Sequence, residues 1–369
     1  TSLPKTLFGG SARVASCLKW RFIDEAVSQQ RKVYTLPSTT IEHTERYQHR
    51  LTNDASEHVQ AQDWLSIEYS QLDTGEYKGG ITKRQLGPVT SFLEYQNKAV
   101  HKCAQLPANL CTVSMIDQGH DAARFMRHSM KQNDLFFLMP ASTDCDLVIP
   151  GGVTSTYAVM DESVLQTAIR ALSAQDWEHH FSGLQVFKSH SSRLLLDQLF
   201  RIALDANNQI GEQASIGDQL GQQVMHQMAL IIHKTNSDNV LADNGLHLRQ
   251  RRLEVVRKTR DYILACLDRD FSPSVVSICE NIGVGARVLQ YSFNEYLQIT
   301  PINYLRILRL HKVRQQLMTP LHEDLKVTDI ATRFGFLHLS NFSRDYFTLF
   351  GEKPSMTLQC ALRANVPSN

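Results

Sequence analysis

In the last third of this 369-residue chain a helix, a glycine turn and a second helix occur twice, about fifty residues apart, with an 18-residue rod between the copies. The first copy runs through Val275, Ile278 and Cys279, turns at Gly283-Val284-Gly285, and continues from about Ala286 to Tyr296. In the second, Val327 to Phe334 is the first helix, Gly335-Phe336 the turn and His338 to Phe347 the second helix. Two short helices joined by a glycine-containing turn make a helix-turn-helix. The rod, Pro301 to Met318, opens with proline behind a Thr300 cap and repeats Tyr304, Leu305, Leu308, Val313 and Leu317 at helical spacing. Its length of about 27 Å is comparable with the roughly 34 Å between successive major-groove faces on one side of a duplex. A rod of that size lets one chain place two helices in adjacent grooves.

Burying Val288, Leu289, Phe293 and Leu297 in the first copy turns Arg287, Gln290 and Tyr291 outward. In the second, Phe342, Tyr346 and Phe350 form the inward stripe, and His338, Leu339, Ser340 and Arg344 are expected to face out. These seven outward residues are the candidate readers of base edges, with Leu339 suited to a thymine methyl. Arg306, Arg309, Lys312 and Lys353 are candidates for phosphate contact. Charge agrees with that division of labour. The whole chain is near neutral at +1, but residues 249–363 hold 17 Lys plus Arg against 11 Asp plus Glu, a net of +6, which leaves −5 for the remainder. A cationic third beside an anionic body is expected where one domain meets a polyanion.

Upstream the hydrophobic period changes. Between about Trp64 and Met160, short β-type runs alternate with turns at Gly79-Gly80, Gly87-Pro88 and Pro150-Gly151-Gly152, as in an antiparallel sandwich or barrel. The expected strands are 64–69, 81–86, 89–95, 110–116, 135–139, 147–149 and 157–160. After Asp161 the spacing becomes helical, with expected helices from Asp161, from Ser192 to Ala206 and from about Glu212 to Lys234. The second carries Leu195, Leu196, Leu199, Phe200, Ile202, Ala203 and Ala206 at steps of three and four, and the three helices are open either to packing on the sheet or to pairing between protomers. Thr235 to Gly245 is polar and turn-forming, a linker. The division is therefore residues 1–234 (β-rich over 64–160, helical over 161–234), a linker at 235–246, and an all-α C-terminal domain over 247–369, giving an α+β protein overall.

The C-terminal text resembles the AraC/XylS family of bacterial transcription regulators. The resemblance is carried by Ile278 to Asn281, Arg287 to Phe293, Thr300 to Leu310, Val327 to Ala331, Phe334-Gly335-Phe336, Asn341-Phe342-Ser343, Phe347, Phe350-Gly351 and Lys353-Pro354-Ser355. It implies two helix-turn-helix motifs on a linker helix, with base contacts from Arg287, Gln290 and Tyr291 and from Leu339, Ser340 and Arg344. It also implies an N-terminal cupin-like β-barrel that binds a small effector or mediates homodimerisation, and an activator working beside RNA polymerase. Gly285 stands where the family often places a Ser or Thr cap, so the first reading helix is expected to start late or fray.

Other chemistry finds little footing. No His-x-His pair is present for a cupin metal site, and no nucleophile elbow or phosphate-cradling glycine loop occurs, so neither enzyme nor cofactor is expected. Seven scattered cysteines fit a reducing cytoplasm. The longest apolar runs fall short of the roughly 20 residues of a membrane span, and the reading is a soluble protein. Arg84, Arg124 and Arg127, in or near expected strands, are candidates to meet an anionic effector. Two alternatives stay open: a metal-independent barrel enzyme with a DNA-binding regulatory tail, and a module that binds an inhibitory protein.

Overall fold

The computed structural model describes residues 46–116, 123–126, 128–129, 135–172, 181, 183–205, 214–236, 246–320 and 326–364. Its N-terminal part is built on two antiparallel sheets. One has the order β1-β3-β4-β11-β6-β9-β12 and the other β2-β5-β10-β7-β8. In chain order the strands are β1 (Tyr47–Thr52), β2 (Ile67–Gln71), β3 (Gly79–Leu86), β4 (Val89–Gln96), β5 (Val100–Gln105), β6 (Leu110–Ile116), β7 (Arg124–Phe125), β8 (His128–Ser129), β9 (Leu135–Met139), β10 (Asp144–Ile149), β11 (Val153–Asp161) and β12 (Gln185–Lys188). A short helix α1 (Ala55–Gln60) follows β1. Three more come later in the chain: α2 (Glu162–Arg170) before β12, and α3 (His190–Leu204) and α4 (Ala214–Asn236) after it.

Strand β9 shows why this part folds as it does. All five of its residues are buried. Because successive strand side chains point to opposite faces, Phe136 and Leu138 join a cluster with Phe187, Leu196, Phe200 and Met228 beneath the helices. Leu135, Phe137 and Met139 join Phe125, Cys145 and Ile149 in the other cluster. A continuous apolar run is what a strand covered on both faces requires. Helix α4 lies so close to β3 that a Cβ built on Gly221 would fall on the Leu86 carbonyl. Gly221→Ala is therefore expected to lower unfolding free energy by about 1–3 kcal/mol, against the roughly 1 kcal/mol that alanine gains in a helix interior. Urea denaturation followed by circular dichroism measures this, and an unchanged or raised midpoint would mean that α4 can lift off the sheet freely.

The C-terminal part is helical: α5 (Leu246–Leu267), α6 (Val275–Ile282), α7 (Ala286–Tyr296), α8 (Pro301–Met318), α9 (Val327–Arg333), α10 (Leu339–Phe350) and α11 (Pro354–Ala364). Tyr304, Leu305, Leu308, Val313 and Leu317 are buried along α8, around which the core gathers Ile263, Phe293, Phe334, Phe342 and Tyr346.

Several expectations are corrected. Strands β1, β5, β7, β8 and β12 and helices α1, α5 and α11 were not foreseen, and the strand expected at 64–69 lies at Ile67–Gln71. The helix expected over Ser192–Ala206 is α3, His190–Leu204, because Ser189 caps it by accepting from Ser192 N. On it Leu194, Leu195 and Ile202 are about half exposed, while Leu196, Phe200 and Ala203 are buried. Most of the expected linker lies outside the described residues. No helix among those described is long and apolar enough to cross a membrane.

Candidate nucleic-acid interface

Each helix-turn-helix is set by its ends. Ser274 and Ser277 form a reciprocal cap at the start of α6, and Gly283 ends it in the left-handed region at φ 69°. Gly285 offers no side-chain cap, yet α7 begins at Ala286 without delay. The expectation of a late start fails because Gly285 is extended and its carbonyl accepts from Leu289 N at 3.1 Å, closing the first turn by backbone alone. In the second motif Gly335 makes the turn at φ 78°. His338 is the N-cap of α10, its carbonyl accepting from Phe342 N at 3.0 Å.

The outward faces agree with the sequence at all seven candidate readers. Arg287, Gln290 and Tyr291 on α7, and His338, Leu339, Ser340 and Arg344 at α10, are exposed. Val288 joins them at 51% exposure, contrary to its expected burial, because Leu289 and Phe293 already fill the inward side. Gln290 Nε2 donates to Asn294 Oδ1 at 3.2 Å and Arg344 Nη2 to Asn341 Oδ1 at 3.2 Å, bonds that steady both heads at the surface. The Arg252 guanidinium of α5 lies 5.0 Å from the Tyr291 ring centroid and is ion-paired with Glu295, one turn along α7.

The four candidate phosphate contacts divide. Lys353 and Arg306 are exposed, the latter held by Asn303 at 2.6 Å and paired with Asp345 at 3.5 Å. Lys312 is paired with Asp268 at 2.6 Å. Arg309 works inside the fold: its Nε donates to Phe334 O at 2.6 Å and its guanidinium lies 4.2 Å from the Phe336 centroid, pinning the second turn to α8.

The far ends of both reading helices are docked on the sheets. Tyr296, the last residue of α7, donates to Asp146 Oδ1 of β10 at 2.8 Å. His101 of β5 bridges the same carboxylate to the rod: its Nε2 donates to Asp146 Oδ1 at 2.9 Å, and its Nδ1 accepts from the Tyr304 hydroxyl at 2.9 Å. Arg257 of α5 reaches Asp146 Oδ2 at 3.2 Å. Burial alone would raise the Asp146 carboxyl, but His101, Arg257 and the Tyr296 hydroxyl outweigh it and bring it down to about 2.

Near the end of α10, Gly75 N donates to Thr348 O at 2.8 Å and Gln71 Nε2 to Leu349 O at 2.7 Å. His311 of α8 donates from Nε2 to Gln71 O at 3.1 Å. Arg314 binds Asp54 at 2.6 Å and Glu352 at 2.6 Å, tying α8 to the start of α1 and to the turn after α10. The sequence reading missed this whole joint. Its signal is faint: alternate polar residues His101 and Cys103 in β5, and two tyrosines on otherwise apolar helix faces.

His101, Cys103 and Asp146 form the described group whose donor atoms, all within 4.8 Å, could hold a metal. Two guanidiniums oppose that use, since Arg257 Nε and Arg260 Nη1 stand 3.2 and 3.9 Å from Asp146 Oδ2. Burial also pushes the Cys103 thiol well up, which keeps it protonated.

A cavity of about 70 Å³ lies among the sheets, walled by Trp64, Met115, Phe125 and Tyr157 and by a Glu94–Lys102 ion pair. Of the candidate effector contacts, Arg84 binds the Asp205 carbonyl and Arg124 donates to Ala123 O at 3.0 Å, and neither lines this cavity. Arg127 lies outside the described residues.

Residues 278–359 match the family model of a helix-turn-helix domain. A probable thc operon regulatory protein of Rhodococcus erythropolis is 30% identical over 177 residues, 44% of this chain and 53% of that protein. The XylDLEGF operon transcriptional activator 2 of Pseudomonas putida is 37% identical over 87 residues, 24% of this chain and 55% of that one. The chain thus spans about half the length of each of these relatives. The solved structure of a probable AraC family transcriptional regulator from Rhodopseudomonas palustris is 30% identical, covering 29% of this chain and 97% of that one at a TM-score of 0.27. With two capped helix-turn-helix units on a buried rod and this set of relatives, the chain belongs through its C-terminal domain to the AraC/XylS family of helix-turn-helix proteins.

Proposed function

We propose that this protein is a sequence-specific DNA-binding regulator of transcription. The observation that carries the reading is that both reading helices present their outward residues to solvent while their far ends are fixed on the sheets. Arg287, Gln290 and Tyr291 read one groove segment and Leu339, Ser340 and Arg344 the next, with His338 beside them. Arg306 and Lys353 add salt-dependent phosphate contact. The relatives named as operon regulator and transcriptional activator support activation of an operon beside RNA polymerase. The protein works in the cytoplasm without catalysis, and its N-terminal part takes a small-molecule signal. The half-exposed Leu194, Leu195 and Ile202 of α3 favour pairing of two protomers through that part.

Gel shifts on the native upstream region test the proposal. Arg287→Ala and Arg344→Ala should each cost about 1–3 kcal/mol of specific binding while leaving weak binding to unrelated DNA nearly intact. Unchanged discrimination in both variants would remove the assignment of readers.

A further inference from the structure

Helix α7 turns two different strips toward solvent. Residues three and four apart are neighbours on a helix surface, so Arg287, Gln290 and Asn294 make one strip, and Val288, Tyr291 and Glu295 the next. The first consists of hydrogen-bonding groups, with Gln290 Nε2 donating to Asn294 Oδ1. The second differs in kind. Its one acid, Glu295, is paired with the Arg252 guanidinium, which also lies 5.0 Å from the Tyr291 ring centroid and holds that ring in place. What this strip presents to solvent is apolar: Val288 at 51% exposure beside the Tyr291 ring at 65%.

Val288 does nothing for the core, because Leu289 and Phe293 fill the inward side, and valine is a poorer helix former than alanine. Its position is nonetheless well defined. Ser292 Oγ donates to Val288 O at 2.8 Å, and a β-branched side chain in a helix keeps essentially one χ1 rotamer. Single exposed apolar residues are ordinary on protein surfaces. Here two adjoin in the first turns of a reading helix, the part that meets base edges in helix-turn-helix proteins. The apolar group that the major groove offers there is the C5-methyl of thymine.

We propose that Val288, backed by the Tyr291 ring, reads the C5-methyl group of one thymine in the subsite of α7. The proposal rests on the reading of α7 as a DNA-reading helix and assigns one base of its target. A cytosine at that position sets its N4 amino group against an isopropyl group that offers no acceptor.

Deoxyuridine lacks that methyl and is otherwise the same nucleoside. Gel shifts of the full chain on the bound site of the native upstream region, each thymine replaced in turn by deoxyuridine, test the proposal. Within the subsite where Arg287→Ala relaxes discrimination, one replacement should weaken binding about fourfold, the worth of one buried methyl. Val288→Ala should weaken binding to the thymine site by a similar factor and bind the thymine and deoxyuridine forms of that one position equally, while any other deoxyuridine effect persists. Its circular dichroism spectrum and urea midpoint should match the parent's, since the side chain is on the surface. No response at any thymine of that subsite, or a response undiminished in Val288→Ala, overturns the proposal. So does unchanged DNA binding by Val288→Ala with loss of transcription from a reporter, which would give the apolar strip to a protein partner. Sequence-specific binding without a methyl response defeats this assignment alone, whereas absent sequence-specific binding defeats the regulator as well.

Discussion

Asp146→Ala is expected to destabilise the folded protein by about 3–5 kcal/mol, the range found when one partner of a buried ionic cluster is removed. The carboxylate is 1% exposed and holds His101, Tyr296 and Arg257 together. Without it the His101 Nε2 proton and the Tyr296 hydroxyl lose their acceptor in a buried place, and the partly exposed Arg257 keeps only Asp144. Exposed Asp144, 3.6 Å from Arg257, is the internal control, and its alanine variant should fall within about 0.5 kcal/mol of the parent. Urea midpoints of the two variants measure the difference. Equal midpoints would show that the joint contributes nothing to holding helices on sheets. The Asp146 variant should also loosen DNA binding, because Tyr296 is the anchor of α7.

The second large effect is a loss of stability on mild acidification. Burial, with the Arg314 charge, lowers His311 from 6.5 to about 4, against the smaller opposing pull of its bond to Gln71 O. Between those values the unfolded chain binds a proton that the folded chain refuses, so stability falls as pH drops. His311 alone contributes about 3 kcal/mol, fully present above pH 6.5 and lost by about pH 4. Asp146 acts lower: its contribution is whole above its ordinary 3.8 and disappears as pH falls toward 2. Urea unfolding between pH 7 and pH 4 should therefore show a falling midpoint, and His311→Gln should flatten that slope. A slope that the variant leaves unchanged would move the effect away from His311.

What could be read from the sequence follows from local rules. The helix-turn-helix units were legible because caps, glycine turns and a 3.6-residue period lie within a few residues of each other, and their outward residues are where spacing put them. Val288 was misplaced because an apolar residue at the edge of a stripe is indistinguishable by spacing from one inside it. Strand β5 was missed for a different reason. Val-His-Lys-Cys reads as polar text, yet His101 and Lys102 are buried because Asp146, 45 residues on, accepts from His101 and Glu94 on the preceding strand pairs with Lys102. Helix α5 was missed because its charged opening, Arg249 to Arg252, obscures the rhythm of Leu253, Val256, Ile263 and Leu267. The joint between sheets and helices was illegible throughout, since every bond in it crosses a long stretch of chain.

Because α7 and α10 are clamped at their carboxyl ends to β10 and to the β2 margin, their mutual angle belongs to the sheets as much as to α8. The molecule is in effect a calliper whose frame is the pair of sheets. Operators whose two subsites are moved out of phase by about five base pairs, half of a roughly 10.5-base-pair turn, put one jaw on the wrong side of the duplex. A small compound that reshapes the frame would reset the gap between the jaws without touching either.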